Sequence, residues 1–321
     1  MMNAMDMRRP RIAVASAMLS MVIGCGPSRC PEAQTAPPAS TQAPVDGTLP
    51  APKSIQVKTP DGVSIAVQEW GNPEGAEILF IHGLSQSHLS WARQITSDLA
   101  KQHRIVTYDL RGHGASGKPT ETKYYEEGRR WGDELEAVIH GAGLKRPVLV
   151  GWSLGGVVIT NYLHAHGDRG IGGVVFVDAV TRLDPTLLGT PRPLASADLS
   201  TRLGAMRGFL RDCFAVPPPP EQFETMLAYN AIVPIEVHAA IGHVSLEGAD
   251  DALRALSVPA LVIQGAEDRL LKRAMATRTT SLVRGARLSV YEGVGHAPFY
   301  EASDRFNAEL GRFIGETRRA R

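Results

Sequence analysis

Pro147-Val148-Leu149-Val150-Gly151-Trp152-Ser153-Leu154-Gly155-Gly156 decides how this chain is read. A short apolar run ends at Val150 and a helical pattern begins near Leu154, so the G-x-S-x-G sequence between them falls on a strand-to-helix turn. The glycines have a steric purpose. A serine on so sharp a turn needs neighbours without side chains, because strand and helix approach closely there. The turn lifts the Ser153 hydroxyl above the sheet edge at a helix N-terminus, where the Leu154 backbone N–H can face a developing negative charge. The five-residue pattern is common by itself. Its place between a strand and a helix gives it weight.

Working outward, short apolar runs alternate with helical stretches. Residues 54–59 and 63–70 predict two strands joined by the turn signal Pro60-Asp61-Gly62. Residues 77–81, 104–108, 147–150 and 174–177 predict buried strands, with an amphipathic segment over 89–101 and a helix over 124–140. The rhythm breaks over 181–248, which is rich in proline, has helical patterns such as 203–214, and is too long for a plain loop. Strands resume at 259–264 and 287–291, followed by a helix over 303–316. The prediction is an α/β fold: an eight-stranded, mostly parallel sheet flanked by helices, with a helical cap inserted after strand 6. The core then comprises residues 54–180 and 249–321, and the cap residues 181–248.

A serine hydroxyl is a poor nucleophile at neutral pH and needs a base within hydrogen-bond reach, itself oriented by a carboxylate. Of the ten histidines, His296 follows the last strand in a glycine-flanked loop from which its ring can swing over the elbow. Asp268 follows the seventh strand, ahead of His296 in the chain, as a loop-borne acid needs to be. Glu267 is adjacent and points away if Asp268 points inward. Asp178, at the end of the sixth strand, stays open as the alternative acid.

Four segments carry a resemblance. They are Phe80-Ile81-His82-Gly83-Leu84 with Trp91 following, and Asp109-Leu110-Arg111-Gly112-His113-Gly114-Ala115-Ser116. The others are the serine elbow through Gly156, and the pair Gln264-Gly265-Ala266-Glu267-Asp268 with Gly293-Val294-Gly295-His296-Ala297-Pro298-Phe299. On these, residues 54–316 resemble the α/β-hydrolase superfamily, in particular its serine esterase and cofactor-free haloperoxidase-like branch. The resemblance implies Ser153, His296 and Asp268 as a catalytic triad, with the backbone N–H groups of Leu84 and Leu154 as the oxyanion hole. It implies structural roles for His82 and His113, and it places the acid of some relatives where Asp178 stands.

The activity so implied is hydrolysis of a small-molecule carboxylic ester through an acyl-enzyme. Perhydrolase or haloperoxidase-like, lactonase and C–C bond hydrolase activities of the same triad stay open. An elbow serine argues against dehalogenase and epoxide hydrolase chemistry, which on this fold use an aspartate there. A non-catalytic binding protein of the same fold is the alternative of a different class; such proteins usually lose a triad member, and none is missing here. No metal or organic cofactor is expected. In the cap, Phe209, Leu210, Phe214, Phe223, Met226 and Leu227 could line an apolar pocket, but a helical cap needs such residues for its own core.

The formal net charge of +1 gives no reason to expect nucleic acid as a partner. Residues 1–25 begin with Arg8, Arg9 and Arg11 and continue into an apolar stretch too short to span a membrane comfortably. It ends Val22-Ile23-Gly24-Cys25, which resembles a bacterial lipobox and implies Cys25 as a lipidated N-terminus. The alternatives are a plain cleaved signal and an uncleaved anchor. Residues 26–53, rich in Pro, Ala, Thr, Ser and Gln, read as a flexible tether holding an exported enzyme at a membrane surface. Cys30 and Cys213 have no spacing that demands a disulfide or a metal site.

Overall fold

Eight strands form one sheet in a computed structural model that describes residues 49–319. Cys25, Cys30, the signal reading and all but the last few residues of the tether reading lie outside the described residues. The strands are β1 (Lys53–Lys58), β2 (Ser64–Gly71), β3 (Ala76–Ile81), β4 (His103–Tyr108), β5 (Val148–Trp152), β6 (Gly173–Val177), β7 (Ala260–Gly265) and β8 (Arg287–Tyr291). Their spatial order is β1-β2-β4-β3-β5-β6-β7-β8. β2 runs antiparallel to both β1 and β4, and every pairing from β4 through β8 is parallel.

Helices cover both faces. In chain order they are α1 (Ala92–Ile95), α2 (Asp98–Gln102), α3 (Gly128–Gly141), α4 (Leu154–His166), α5 (Leu199–Asp212) and α6 (Pro220–Ala231). Then follow α7 (Ile235–Ile241), α8 (Ala249–Ala255), α9 (Arg273–Leu282), α10 (Pro298–Glu301) and α11 (Ser303–Arg319). Successive side chains of a strand point to opposite faces, and β3 shows the result. Leu79 and Ile81 join the core beneath α3 and α4, whereas Ile78 and Phe80 join the core shared with α5, α6 and α11. The helices α5, α6, α7 and α8 lie between β6 and β7, where the strand rhythm breaks. Leu210, Phe214, Phe223 and Leu227 are buried there in the second core, with Phe209 and Met226 half-buried against it.

Two helices differ from expectation, each because of identifiable hydrogen bonds. The amphipathic segment 89–101 is a 3-10 turn (His88–Trp91) followed by the separate helices α1 and α2. Ser97 interrupts it by turning outward to cap α2, its Oγ accepting the Leu99 N–H at 3.2 Å. The helix expected from 124 begins only at Gly128. The carbonyls of Tyr124 and Tyr125 accept from the Arg111 guanidinium at 2.7 Å and the Trp131 indole at 2.8 Å. Both carbonyls before α3 are thus taken by side chains, Arg111 from outside the segment and Trp131 from α3 itself.

Candidate active site

Ser153, Asp178, Asp268 and His296 follow the carboxyl ends of β5, β6, β7 and β8, four adjacent parallel strands. That edge is where an open α/β sheet exposes loops suited to binding. Ser153 is the N-cap of α4 and holds φ 54°, ψ −112°, a conformation that costs a non-glycine residue about 1–3 kcal/mol. Its backbone is held on both sides: the N–H donates to Val177 O at 3.1 Å, and its carbonyl accepts from Gly156 and Val180. A Cβ on Gly155 would stand 2.6 Å from Ile81 O, so the elbow tolerates no side chain there. Leu154 is the first residue of α4, so its N–H has no acceptor within the helix.

The loop after β3 packs directly against the elbow. A Cβ on Gly83 would lie 3.1 Å from Ser153 Cβ, and Leu84, the next residue, is half-buried against both cores. Two buried histidines fix this loop. His82 Nδ1 donates to Gly83 O at 2.8 Å and its Nε2 accepts from Leu110 N–H. His113 Nδ1 donates to Arg111 O at 2.9 Å, and its Nε2 accepts from Ser85 N–H at 3.0 Å. Burial keeps both neutral, with His82 lowered to about 4 and His113 to about 3. With both ring nitrogens of each engaged in scaffolding, neither is free to act as a base.

His296 is fully buried, and its Nδ1–H donates to Asp268 Oδ2 at 2.8 Å. Its Nε2 has no hydrogen-bond partner, so the Ser153 hydroxyl is not engaged with it in this structure; such contacts often tighten only with substrate. Asp268 also accepts from Leu270 N–H at 2.8 Å, Leu271 N–H at 3.0 Å and Gln264 Nε2 at 3.2 Å. Burial alone would raise its carboxyl, but the His296 ring and these donors outweigh it and hold Asp268 below the usual carboxylate range. Glu267 is exposed. Asp178 is buried, accepts from Gly265 N–H at 2.9 Å and makes no hydrogen bond to His296.

Three residues, Trp152, Glu301 and His238, make contacts at this site that had no sequence signal. Trp152 Nε1–H donates to His296 O at 2.7 Å, and its ring packs on Phe299. Glu301 accepts from Gly295 N–H at 2.8 Å and from Ala215 N–H at 2.8 Å, joining the histidine loop to the chain after α5. His238, on α7 of the inserted segment, reaches down with its Nε2 2.7 Å from Ser85 Oγ. Burial lowers His238 to about 4.

Among the described residues, one group of His, Cys, Asp and Glu has donor atoms close enough to share a cation: Asp178, Asp268 and His296, within 4.8 Å of one another. There the His296 Nδ1 and the Asp268 Oδ2 are already bonded to each other. Cys213 is buried, and burial raises its thiol.

Residues 78–309 match the family model described as Alpha/beta hydrolase family. Of solved structures, a "putative aryl esterase" from Burkholderia cenocepacia superposes with a TM-score of 0.80 at 43% identity, covering 83% of this chain and 99% of that one. The esterase RhEst1 from Rhodococcus sp. ECU1013 gives 0.75 at 30% identity, covering 82% and 98%. A non-heme haloperoxidase from Rhodococcus erythropolis is 27% identical over 275 residues, 80% of this chain and 98% of that protein.

Proposed function

The chain belongs to the alpha/beta hydrolase family, and on that premise we propose that it cleaves carboxylic esters through an acyl-enzyme formed on Ser153. His296 Nε2 takes the hydroxyl proton as Ser153 Oγ attacks the ester carbonyl carbon. The Leu84 and Leu154 N–H groups hold the resulting oxyanion. The C–O bond then breaks, and His296 returns the proton to the leaving alcohol. Water repeats the sequence on the acyl-enzyme and releases the acid. Asp268 keeps the imidazole in the tautomer that presents Nε2 as acceptor and stabilises the imidazolium in between.

One observation carries this reading. The imidazole bonded through Nδ1 to Asp268 leaves Nε2 unpartnered, at the same sheet edge as a strained serine elbow. The esterase neighbours at 43% and 30% identity add support for the ester class. The test is turnover of p-nitrophenyl esters of graded acyl length. Hydrolysis that disappears in Ser153→Ala supports the proposal, and a Ser153→Ala enzyme of undiminished activity contradicts it.

The haloperoxidase relative favours a second activity. Hydrogen peroxide replacing water in deacylation would yield a peracid from the same acyl-enzyme, so peracid formation belongs in the same assay.

The chain is further proposed to be exported and tethered to a membrane through a lipid on Cys25, resting on the basic-then-apolar order of residues 8–25. Incorporation of labelled palmitate in cells, lost in Cys25→Ala, tests it; an unlabelled wild-type chain overturns it.

A further inference from the structure

Asp178 lies within the candidate site, and the ester-cleavage mechanism above leaves it without a role. It is 1% exposed at the end of β6 and holds φ 39°, in the left-handed region. Its N–H donates to Ile263 O at 2.9 Å, and its Oδ1 accepts from Gly265 N–H at 2.9 Å. Its other oxygen, Oδ2, is buried with no N–H or O–H donor in reach. A carboxylate oxygen in that condition is charge without solvation, which is costly.

The neighbours make ionisation harder still. Facing the carboxyl are Asp268 after β7, His296 after β8 and Glu301 on α10, with Cys213 at the end of α5 beyond Asp268. Donor atoms of Asp178, Asp268 and His296 lie within 4.8 Å of one another. Two carboxyls this close in a site closed to water do not both ionise, and the charge settles on the better solvated one. Asp268 has four N–H donors, and Asp178 has one. The negative charge therefore belongs to Asp268.

We propose that Asp178 is a positioning residue that works as a neutral carboxylic acid, its Oδ2–H donated to the Asp268 carboxylate. The bond supplies the missing partner of Asp178 Oδ2 and adds a fifth donor to Asp268. It holds Asp268 oriented toward His296 without placing a second negative charge beside the imidazole. Burial first, and the Asp268 charge second, raise the Asp178 carboxyl well above its ordinary range. This inference rests on the roles proposed for Ser153, His296 and Asp268.

The experiment compares wild type, Asp178→Asn and Asp178→Ala for ester turnover against pH. An active wild-type enzyme silenced by Ser153→Ala secures the underlying reading first, so failure there is distinguishable from failure here. Asparagine reproduces the neutral acid: its oxygen can accept from Gly265, and its amide can donate to Asp268. Asp178→Asn is expected to keep kcat/KM within about threefold, with the acid limb of the pH profile unmoved. Asp178→Ala removes the donor and is expected to lose about tenfold or more in kcat with little change in KM.

If Asp178 is instead ionised, Asp178→Asn deletes a charge beside the imidazole and moves the acid limb down by about one pH unit or more. That result overturns the proposal. Full activity in Asp178→Ala overturns it equally. Should either variant fail to fold, the infrared spectrum of the wild type decides. A protonated-carboxyl band at neutral pH that shifts in D2O supports the neutral acid, and its absence contradicts it.

Discussion

The indole N–H of Trp152 donates to the main-chain carbonyl of His296 at 2.7 Å, so the residue before the elbow serine fixes the backbone of the loop bearing the imidazole. The two rings lie 5.6 Å apart between centroids, and Phe299 packs edge-on against Trp152 at 4.7 Å. The ends of β5 and β8, which β6 and β7 separate in the sheet, are thereby tied to one another.

Trp152→Phe keeps much of the aromatic packing and removes only that donor. It leaves the His296 carbonyl buried without this partner, which costs about 1–3 kcal/mol of stability. The expected result is a lower urea midpoint and a kcat reduced about tenfold, because His296, the proposed base, is no longer held in place. Chemical denaturation and steady-state kinetics on the same preparation check both.

The bond between Ser85 and His238 ties α7 to the loop after His82-Gly83-Leu84. Ser85→Ala and His238→Ala should each lower kcat/KM, and the double variant should lose less than the sum. A double-mutant cycle read by denaturation should give a coupling of about 1 kcal/mol. Strict additivity would contradict the latch.

Acid should destabilise the fold in two stages. His82, His113 and His238 are held neutral by burial, at about 4, about 3 and about 4. Their folded values lie below the unfolded value of about 6.5, so the unfolded chain binds more protons across that interval. Their contribution is complete above about pH 6.5 and is lost as pH falls toward 4 and 3. Asp109 is lowered to about 2: burial opposes its charge, but the His88 hydrogen bond and charge outweigh burial. Its contribution of about 2 kcal/mol is complete above its unfolded value and lost only as pH falls toward 2. Urea midpoints measured in steps from neutral pH downward should fall first in the histidine window, and Asp109→Asn should shrink the lower step, to which Asp268 also contributes.

Glu301 holds Gly295 beside Ala215 and Val216 through three N–H bonds to its carboxylate, at 2.8, 2.8 and 3.1 Å. Gln in its place turns an amide N–H toward at least one of those donors. Glu301→Gln should therefore lose about 1–3 kcal/mol of stability and slow turnover. Unchanged melting and kinetics would show that the clamp does nothing.

The sheet was legible because its signal is local. Apolar runs such as residues 174–177 and the turn Pro60-Asp61-Gly62 declare strands and a hairpin without knowledge of the rest of the chain. Ser153, Asp268 and His296 could be put forward as candidates because each follows a strand, and strand ends converge at one edge of a parallel sheet. The contacts that shape the site could not be read in this way. Trp152 meets His296, Ser85 meets His238, and Gly295 meets Ala215 across long stretches of sequence, through single hydrogen bonds or close backbone approach. Such contacts leave no periodicity. The late start of α3 has in part the same origin, since Arg111, outside the segment, claims the carbonyl of Tyr124, while Trp131 of α3 claims that of Tyr125.

The most direct test of the account is to treat the protein with a p-nitrophenyl phosphonate ester, which captures a serine nucleophile irreversibly, and to map the adduct by mass spectrometry. The account predicts one adduct per chain, on Ser153, formed in step with the loss of esterase activity. An intact Ser153 in fully inactivated protein, or undiminished turnover after Ser153 is modified, would contradict it.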